Sequence, residues 1–287
     1  MKFDRGQKVL IVGLGLIGGS YAQALTDQGF EVGAIDIRQS SVDYALQRKW
    51  IRHGASEVSA DYVGDFDLVV FALYPHILLD WIQKYQSYFK SGALLTDVTG
   101  VKCGVVYQIQ ACLRKDVEFI GAHPMAGREV YGVENASKEI FRGANYIVTP
   151  TPANTQTAID CCKQLGQILG FETICTLSPE EHDEMIGFLS QLTHCIAVAL
   201  MTCKESEHLV DYTGDSFRDL TRIAKINESM WTELFLMNKK TLLKQMDLFL
   251  DKFSYLRDCL LHDNASALKE MMRLSTARRE CFDRRKK

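Results

Sequence analysis

The strongest constraint on this chain lies in its first twenty residues, where the apolar run Lys8–Val12 leads directly into Gly13-Leu14-Gly15-Leu16-Ile17-Gly18. A strand, a glycine turn and a helix in that order form the opening unit of a parallel, doubly wound sheet. Gly13 permits the tight turn, Gly15 lets the backbone approach an anion closely, and Gly18 lets the helix lie near the sheet. Leu16 and Ile17 open the helix, so the N–H groups around them face that anion. A second strand, Glu31–Ile35, ends at Asp36, 18 residues after Gly18. An acid there accepts a hydrogen bond from the ribose 2′-hydroxyl of a dinucleotide. It also repels a 2′-phosphate, which favours NAD over NADP. Arg38, two residues on, is the feature that speaks for NADP. A glycine turn with no ligand is the alternative, and the strand, the helix and Asp36 together argue against it.

The same alternation continues. Leu68–Leu73, Ala93–Asp97, Val117–Ala122, Tyr146–Thr149 and Glu172–Leu177 read as strands, and helical patterns such as Ala158–Leu169 separate many of them. This predicts an α/β fold of Rossmann type, a mostly parallel sheet with helices on both faces. Of the 20 glycines, 18 precede residue 179, and all five prolines lie at or before it. Breaker-poor sequence follows, which suits long helices. The expected organisation is a dinucleotide-binding domain over residues 1–178 and an all-helical domain over 179–287 that binds substrate and dimerises.

In that second part Met185, Phe188, Leu189, Leu192, Ile196 and Leu200 recur at helical spacing. Val198 and Ala199 widen the stripe, so this helix is expected to be buried on several sides. A second long pattern covers Met230–Leu261. These apolar helices exceed what one small domain needs, so a homodimer is expected.

Composition removes other classes. The net charge of −3 gives no basic field for nucleic acid, and the basic C-terminal residues read as a solvated helix end. Nine cysteines without a Cys-x-x-Cys pair suit free thiols in a reducing cytoplasm. The N-terminus lacks the apolar stretch of a signal peptide, and no apolar run looks long enough to span a bilayer. No cluster of histidine, cysteine and carboxylate has metal-ligand spacing.

Several residues are placed for chemistry. Phe71-Ala72-Leu73-Tyr74-Pro75 ends a strand on the cofactor side, which puts Leu73 and Pro75 near the dinucleotide; a plain strand end with a proline stop is the other reading. His123, in Gly121-Ala122-His123-Pro124-Met125-Ala126-Gly127, ends another strand and points to the same cleft. It is either a base that takes a proton as hydride leaves the same carbon, or the cap of a turn. His194 lies on the long helix, where a satisfied core histidine is the ordinary case. His182 and Asp183 open that helix and read as its cap. Asp219 and Arg222 share a helix face, either as a surface ion pair or as a carboxylate-binding arginine with its partner.

Taken together these residues resemble the prephenate dehydrogenase family of tyrosine biosynthesis. The resemblance rests on Gly13–Ser20, Thr96-Asp97-Val98-Thr99-Gly100-Val101-Lys102, His123–Glu129, Glu181–His194 and Phe217–Arg222 in that order, with Trp231 and Asn238 matching a later helix. It implies NAD-dependent oxidative decarboxylation of prephenate to 4-hydroxyphenylpyruvate, or of arogenate in related enzymes. It makes His123 the acceptor of the ring 4-hydroxyl proton, His194 a second active-site histidine, and Arg222 the binder of a substrate carboxylate. Glu129 and Asp219 become the acids that order the site around that arginine. The chain departs from the pattern at Gly100, where many members carry a serine that holds the 4-hydroxyl; the adjacent Thr99 offers a hydroxyl from a different backbone position. Gln191 and Thr193 also stand where many members have histidine and proline.

Overall fold

The structure is a computed structural model and describes residues 4–128, 130–205 and 208–283. Eight strands form one sheet: β1 (Lys8–Val12), β2 (Glu31–Ile35), β3 (His53–Ala55), β4 (Leu68–Phe71), β5 (Leu94–Asp97), β6 (Glu118–Pro124), β7 (Asn145–Thr149) and β8 (Thr173–Thr176). Their order is β3-β2-β1-β4-β5-β6-β7-β8, parallel throughout except where β7 runs against β6. The Rossmann reading therefore holds. β3 was not expected, because three residues are too short to show a period.

Helices pack on both faces: α1 (Leu16–Asp27), α2 (Gln39–Gln47), α3 (Ala60–Val63), α4 (Pro75–Tyr85), α5 (Cys103–Cys112) and α6 (Gln156–Leu169). Period-two alternation decides the two cores. Val9 and Ile11 of β1 face Tyr21, Leu25 and Leu165, whereas Leu10 and Val12 face Leu78, Val105 and Ile109. Each such fully buried aliphatic side chain stabilises the fold by about 1.5–3 kcal/mol. Local signals set the helix ends. Thr155 caps α6 by accepting from the Ala158 N–H, and Gly170 closes it at φ +89°.

The register carries the function. Val12 pairs with Ile35 on one side and Phe71 on the other, and Phe71 pairs with Asp97. Gly13, Asp36, Ala72 and Val98 thus leave the sheet along one carboxyl edge, where ligands bind in open parallel sheets.

Beyond the sheet, Ser178 and Glu181 form a reciprocal capping box that starts α7 (Pro179–Ile186). A π-helical turn, Gly187–Leu192, joins it to α8 (Thr193–Thr202). This helix differs from expectation in two ways. It is not buried on several sides: Ala197 is the fully buried residue of α8, and Met185, Phe188 and Leu189 are 42%, 52% and 52% exposed. The helix Pro179–Thr202, at 24 residues, is also long and apolar enough to cross a membrane by length and composition, which corrects the opposite expectation. Its buried polar residues His182, Asp183 and Gln191 are bonded to neighbouring elements of the protein.

α9 (Leu209–Tyr212), α10 (Asp215–Thr221), α11 (Glu228–Met237), α12 (Lys239–Leu261) and α13 (Ala265–Asp283) follow. The expected Met230–Leu261 pattern is two helices, because Asn238 turns its side chain inward to the Asp183 carbonyl and Gln191 and ends α11. Residues through Lys239 form one compact unit and Lys240–Lys287 a second. In the second unit Asp263, at φ +50°, turns the chain, and Asn264 caps α13 by accepting from the Ala267 N–H.

Candidate active site

The glycine turn has the stereochemistry that its sequence demands. Gly13 sits at φ +97°, and a Cβ there would lie 2.5 Å from the Ala72 carbonyl oxygen. A Cβ on Gly18 would lie 1.9 Å from the Gly13 oxygen, so only glycine fits. Gly15 is different: nothing stands within 4 Å of its added Cβ, and the space before it is open. Gly15 is also the N-cap of α1, where no side-chain cap and no acidic first-turn residue competes for the N–H groups of Leu16 and Ile17. Asp36 Oδ2 accepts from the Leu14 N–H at 2.7 Å and Oδ1 from the Arg38 N–H at 2.8 Å. The carboxylate thereby locks the glycine turn to the end of β2. The Arg38 guanidinium lies 3.6 Å from the same carboxylate, 57% exposed at the rim. An open, uncapped helix N-terminus beside an acid fits the pyrophosphate and ribose of NAD. Leu73 is part of the wall behind Gly13, and Pro75 is the buried first residue of α4.

Two strands along the same edge, a second group of polar side chains begins. Asp97 and Lys102 are buried, and the Lys102 ammonium donates to Asp97 Oδ2 at 2.7 Å and to the Ala122 carbonyl at 2.5 Å. Asp97 Oδ1 accepts from the Ala122 N–H, so the pair holds the strand residue before His123 from both sides. Burial pushes the Lys102 ammonium below its ordinary value, and Asp97 opposes that shift. Thr99 hydrogen-bonds Asp97 through both its N–H and its hydroxyl, and Lys102 donates to that hydroxyl at 3.3 Å. The Thr99 hydroxyl is turned into this cluster, which counts against the role of a substrate contact in place of the missing serine.

His123 ends β6 beside His182. Its Nδ1 lies 2.9 Å from His182 Nε2, and His182 Nδ1 lies 2.8 Å from Asp183 Oδ1. The tautomers follow from elementary chemistry. A carboxylate only accepts, so His182 carries its hydrogen on Nδ1 and presents a lone pair at Nε2. His123 must then donate from Nδ1, which leaves Nε2 as its basic nitrogen. Asp183 is itself anchored by the Lys102 and Cys103 N–H groups at 2.8 and 2.9 Å, at the start of α5. Burial works against its charge, but His182 and those amides outweigh it and hold Asp183 below the ordinary carboxylate range. Burial, His182 and Lys102 together hold His123 well below its ordinary value. Burial lowers His182 as well. Both imidazoles are therefore neutral at neutral pH.

Gly100 faces the His123 ring. A Cβ there would lie 3.8 Å from His123 Cε1 and 3.6 Å from Leu234 Cδ1, ordinary contact distances. His194 donates from Nδ1 to the Ser190 carbonyl at 2.8 Å, and its ring lies over Trp231 with centroids 3.7 Å apart. The 3-10 turn Arg222–Ala224, which begins with Arg222, packs against α8. Arg222 and Asp219 are both exposed. Glu129 lies outside the described residues.

Sequence reasoning passed over His182 and Asp183 as partners of His123, and it passed over Lys102. No local signal marks a relay assembled from segments 59 residues apart. The one clue was an adjacent His-Asp pair at the start of a helix, which a cap explains equally well.

The chain is similar to known proteins of one family over most of its length. Residues 21–174 match the family model described as prephenate dehydrogenase, nucleotide-binding domain, and residues 178–274 match prephenate dehydrogenase, dimerization domain. The crystal structure of prephenate dehydrogenase from A. aeolicus, in complex with hydroxyphenyl propionate and NAD+, superposes with a TM-score of 0.87 at 30% identity, covering 96% of this chain and 98% of that one. The prephenate dehydrogenase of Bacillus subtilis (strain 168) is 29% identical over 91% of this chain and 72% of its own. The cyclohexadienyl dehydrogenase of Zymomonas mobilis is 26% identical over 91% of each.

Proposed function

The chain belongs to the prephenate dehydrogenase family, and from that premise we propose how its site carries out the reaction. The enzyme is an NAD-dependent dehydrogenase that converts prephenate to 4-hydroxyphenylpyruvate with loss of carbon dioxide. The single observation that carries the mechanism is the relay Asp183–His182–His123 at the carboxyl edge of the sheet. It leaves His123 with a basic Nε2 beside Gly100, on the same edge as the glycine turn.

NAD supplies the hydride acceptor when bound at Gly13, Gly15, Leu16, Ile17, Gly18 and Asp36, with Leu73 and Pro75 behind it. His123 Nε2 takes the proton of the ring 4-hydroxyl as that carbon is oxidised. The Nδ1–H of His123 stays bonded to His182, so Asp183 stabilises the positive charge that appears on the imidazoles. Lys102 and Asp97 keep the His123 strand in place without touching the ring. Carbon dioxide then departs, its bonding pair makes the ring aromatic, and the ring oxygen takes back the proton held by His123; aromaticity makes the step strongly downhill. The protein's task is orientation plus one base, and such a base typically contributes about 10²–10⁴-fold. Arg222 binds a substrate carboxylate, with Asp219 ordering it, and His194 on its Trp231 platform lines the pocket.

We also place the active form as a homodimer. The half-exposed Met185, Phe188 and Leu189 offer an apolar face that a second copy would cover, and the matched C-terminal model is described as a dimerization domain. NAD chemistry and nine free thiols suit the cytoplasm. The deciding assay follows NADH with prephenate and with arogenate, using NAD and NADP in turn. Prephenate with NAD is expected to be the best pair, and absence of NADH from that pair would overturn the reading. In the same assay His123→Asn should bind NAD normally and lose most turnover, and Arg222→Ala should raise the prephenate KM.

A further inference from the structure

Two carboxylates from the helical part of the chain reach across to helices of the sheet and take up their first N–H groups. Asp183 does so at α5 and belongs to the relay described above. The second is Glu233 of α11, which the mechanism does not use. It meets α4, a helix whose N-cap, Tyr74, has no side-chain cap bond and whose first turn holds no acid. Glu233 Oε1 accepts from the His76 N–H at 2.7 Å, and Oε2 receives the His76 imidazole at 2.8 Å. Since a carboxylate only accepts, that imidazole donates from Nδ1. Beside this contact Asn227, the N-cap of α11, donates to the Tyr74 hydroxyl at 3.2 Å. The Glu233 side chain is only 17% exposed.

Each end of this contact leads to a binding surface. On one side, His76 follows the end of β4, where Ala72 and Leu73 press against Gly13 of the cofactor turn. On the other side, Glu233 precedes Leu234, whose Cδ1 would lie 3.6 Å from a Cβ on Gly100, the glycine that faces the His123 ring. Two residues earlier Trp231 supports the His194 ring. The Leu234 carbonyl also accepts from Gln191, so α11 is bonded to the helix that carries His182. We infer that His76 and Glu233 form a clasp that couples the cofactor turn to the substrate pocket, each being a positioning residue. Binding at one site stiffens the clasp and so favours binding at the other. This rests on the reading of the site as one for NAD and prephenate.

The test uses the two products, which bind without turnover because decarboxylation is irreversible. NADH fluorescence gives the NADH Kd with and without saturating 4-hydroxyphenylpyruvate. In wild type the second ligand should tighten NADH binding about tenfold, within the usual range of coupling between sites. Glu233→Ala should reduce that factor to below about twofold. His76→Ala keeps its backbone N–H and should fall between the two, as should Glu233→Gln, whose amide oxygen still accepts. The His76→Ala, Glu233→Ala double variant should be no worse than Glu233→Ala alone. An enhancement in Glu233→Ala equal to wild type, or none in wild type, overturns the clasp. Should Glu233→Ala fail to fold, Glu233→Gln is decisive, and an enhancement equal to wild type overturns the clasp there too. Failure of wild type to make NADH from prephenate would instead refute the substrate assignment.

Discussion

His123 Nδ1 lies 2.9 Å from His182 Nε2, and that contact decides which nitrogen of His123 is the base. The choice is made one residue further on, by the carboxylate of Asp183. Asp183→Asn should disrupt it, because a neutral amide has one accepting oxygen for the Lys102, Cys103 and His182 hydrogens and sets its own N–H against the rest. The carboxylate charge that supports the imidazolium is lost, and wherever the amide N–H meets His182 the tautomers invert, so that His123 Nε2 carries hydrogen and cannot accept the substrate proton. The expected outcome is a kcat loss on the order of 10²–10⁴-fold with little change in KM. Steady-state kinetics check it, and a kcat near wild type would show that the relay does not orient the base.

The low proton affinity of His123 and His182 has a signed consequence for pH. Both are held below their ordinary value of 6.5 in the folded protein, burial being the first cause for each. The unfolded chain therefore binds more protons at these groups once the pH falls below about 6.5. Stability from them is complete above that value and is lost as pH drops toward the folded values. Tm should decline from pH 7 to pH 5, and His123→Asn should show a shallower decline. For the same reason the acid limb of kcat/KM should lie below pH 6.5.

Thr99 and Gly100 are adjacent, and the structure divides their roles. Thr99→Val removes a hydroxyl that bonds buried Asp97 and should cost about 1–3 kcal/mol of stability while leaving the prephenate KM unchanged. Gly100→Ser should do the reverse. Its Cβ fits at ordinary contact distance, so stability should change by no more than about 0.5 kcal/mol. Its hydroxyl would stand beside His123, and the KM should fall. Urea unfolding and KM measured on both variants separate the two roles, and a raised KM in Thr99→Val would return Thr99 to the substrate.

Lys102→Met leaves the Asp97 carboxylate buried without its cation. Such a loss typically costs about 3–5 kcal/mol, because the remaining charge keeps its desolvation penalty. Both side chains are fully buried, so solvent screens little of the effect. Urea unfolding should show it, and a loss below about 1 kcal/mol would mean that Asp97 is satisfied by the Thr99 and Ala122 N–H groups alone.

Features that depend on neighbours in sequence are legible in the sequence itself. The glycine turn, Asp36 and the Rossmann order follow from local stereochemistry and from period-two and helical repeats, and those act over a few residues. His123 could be placed at a strand end on the cofactor side by the same reasoning. The family resemblance then supplied a substrate. What the tertiary structure alone decided is which groups face one another across gaps: His182 and Asp183 behind His123, Lys102 beneath it, the Thr99 hydroxyl turned away, and Glu233 on the end of α4. A repeat tells which side of an element a residue occupies, but not what stands opposite. Burial depends on the same thing. The apolar stripe around Phe188 and Leu189 reads as core in sequence, yet both residues are half exposed, because a helical repeat shows that a face is apolar and not what packs against it.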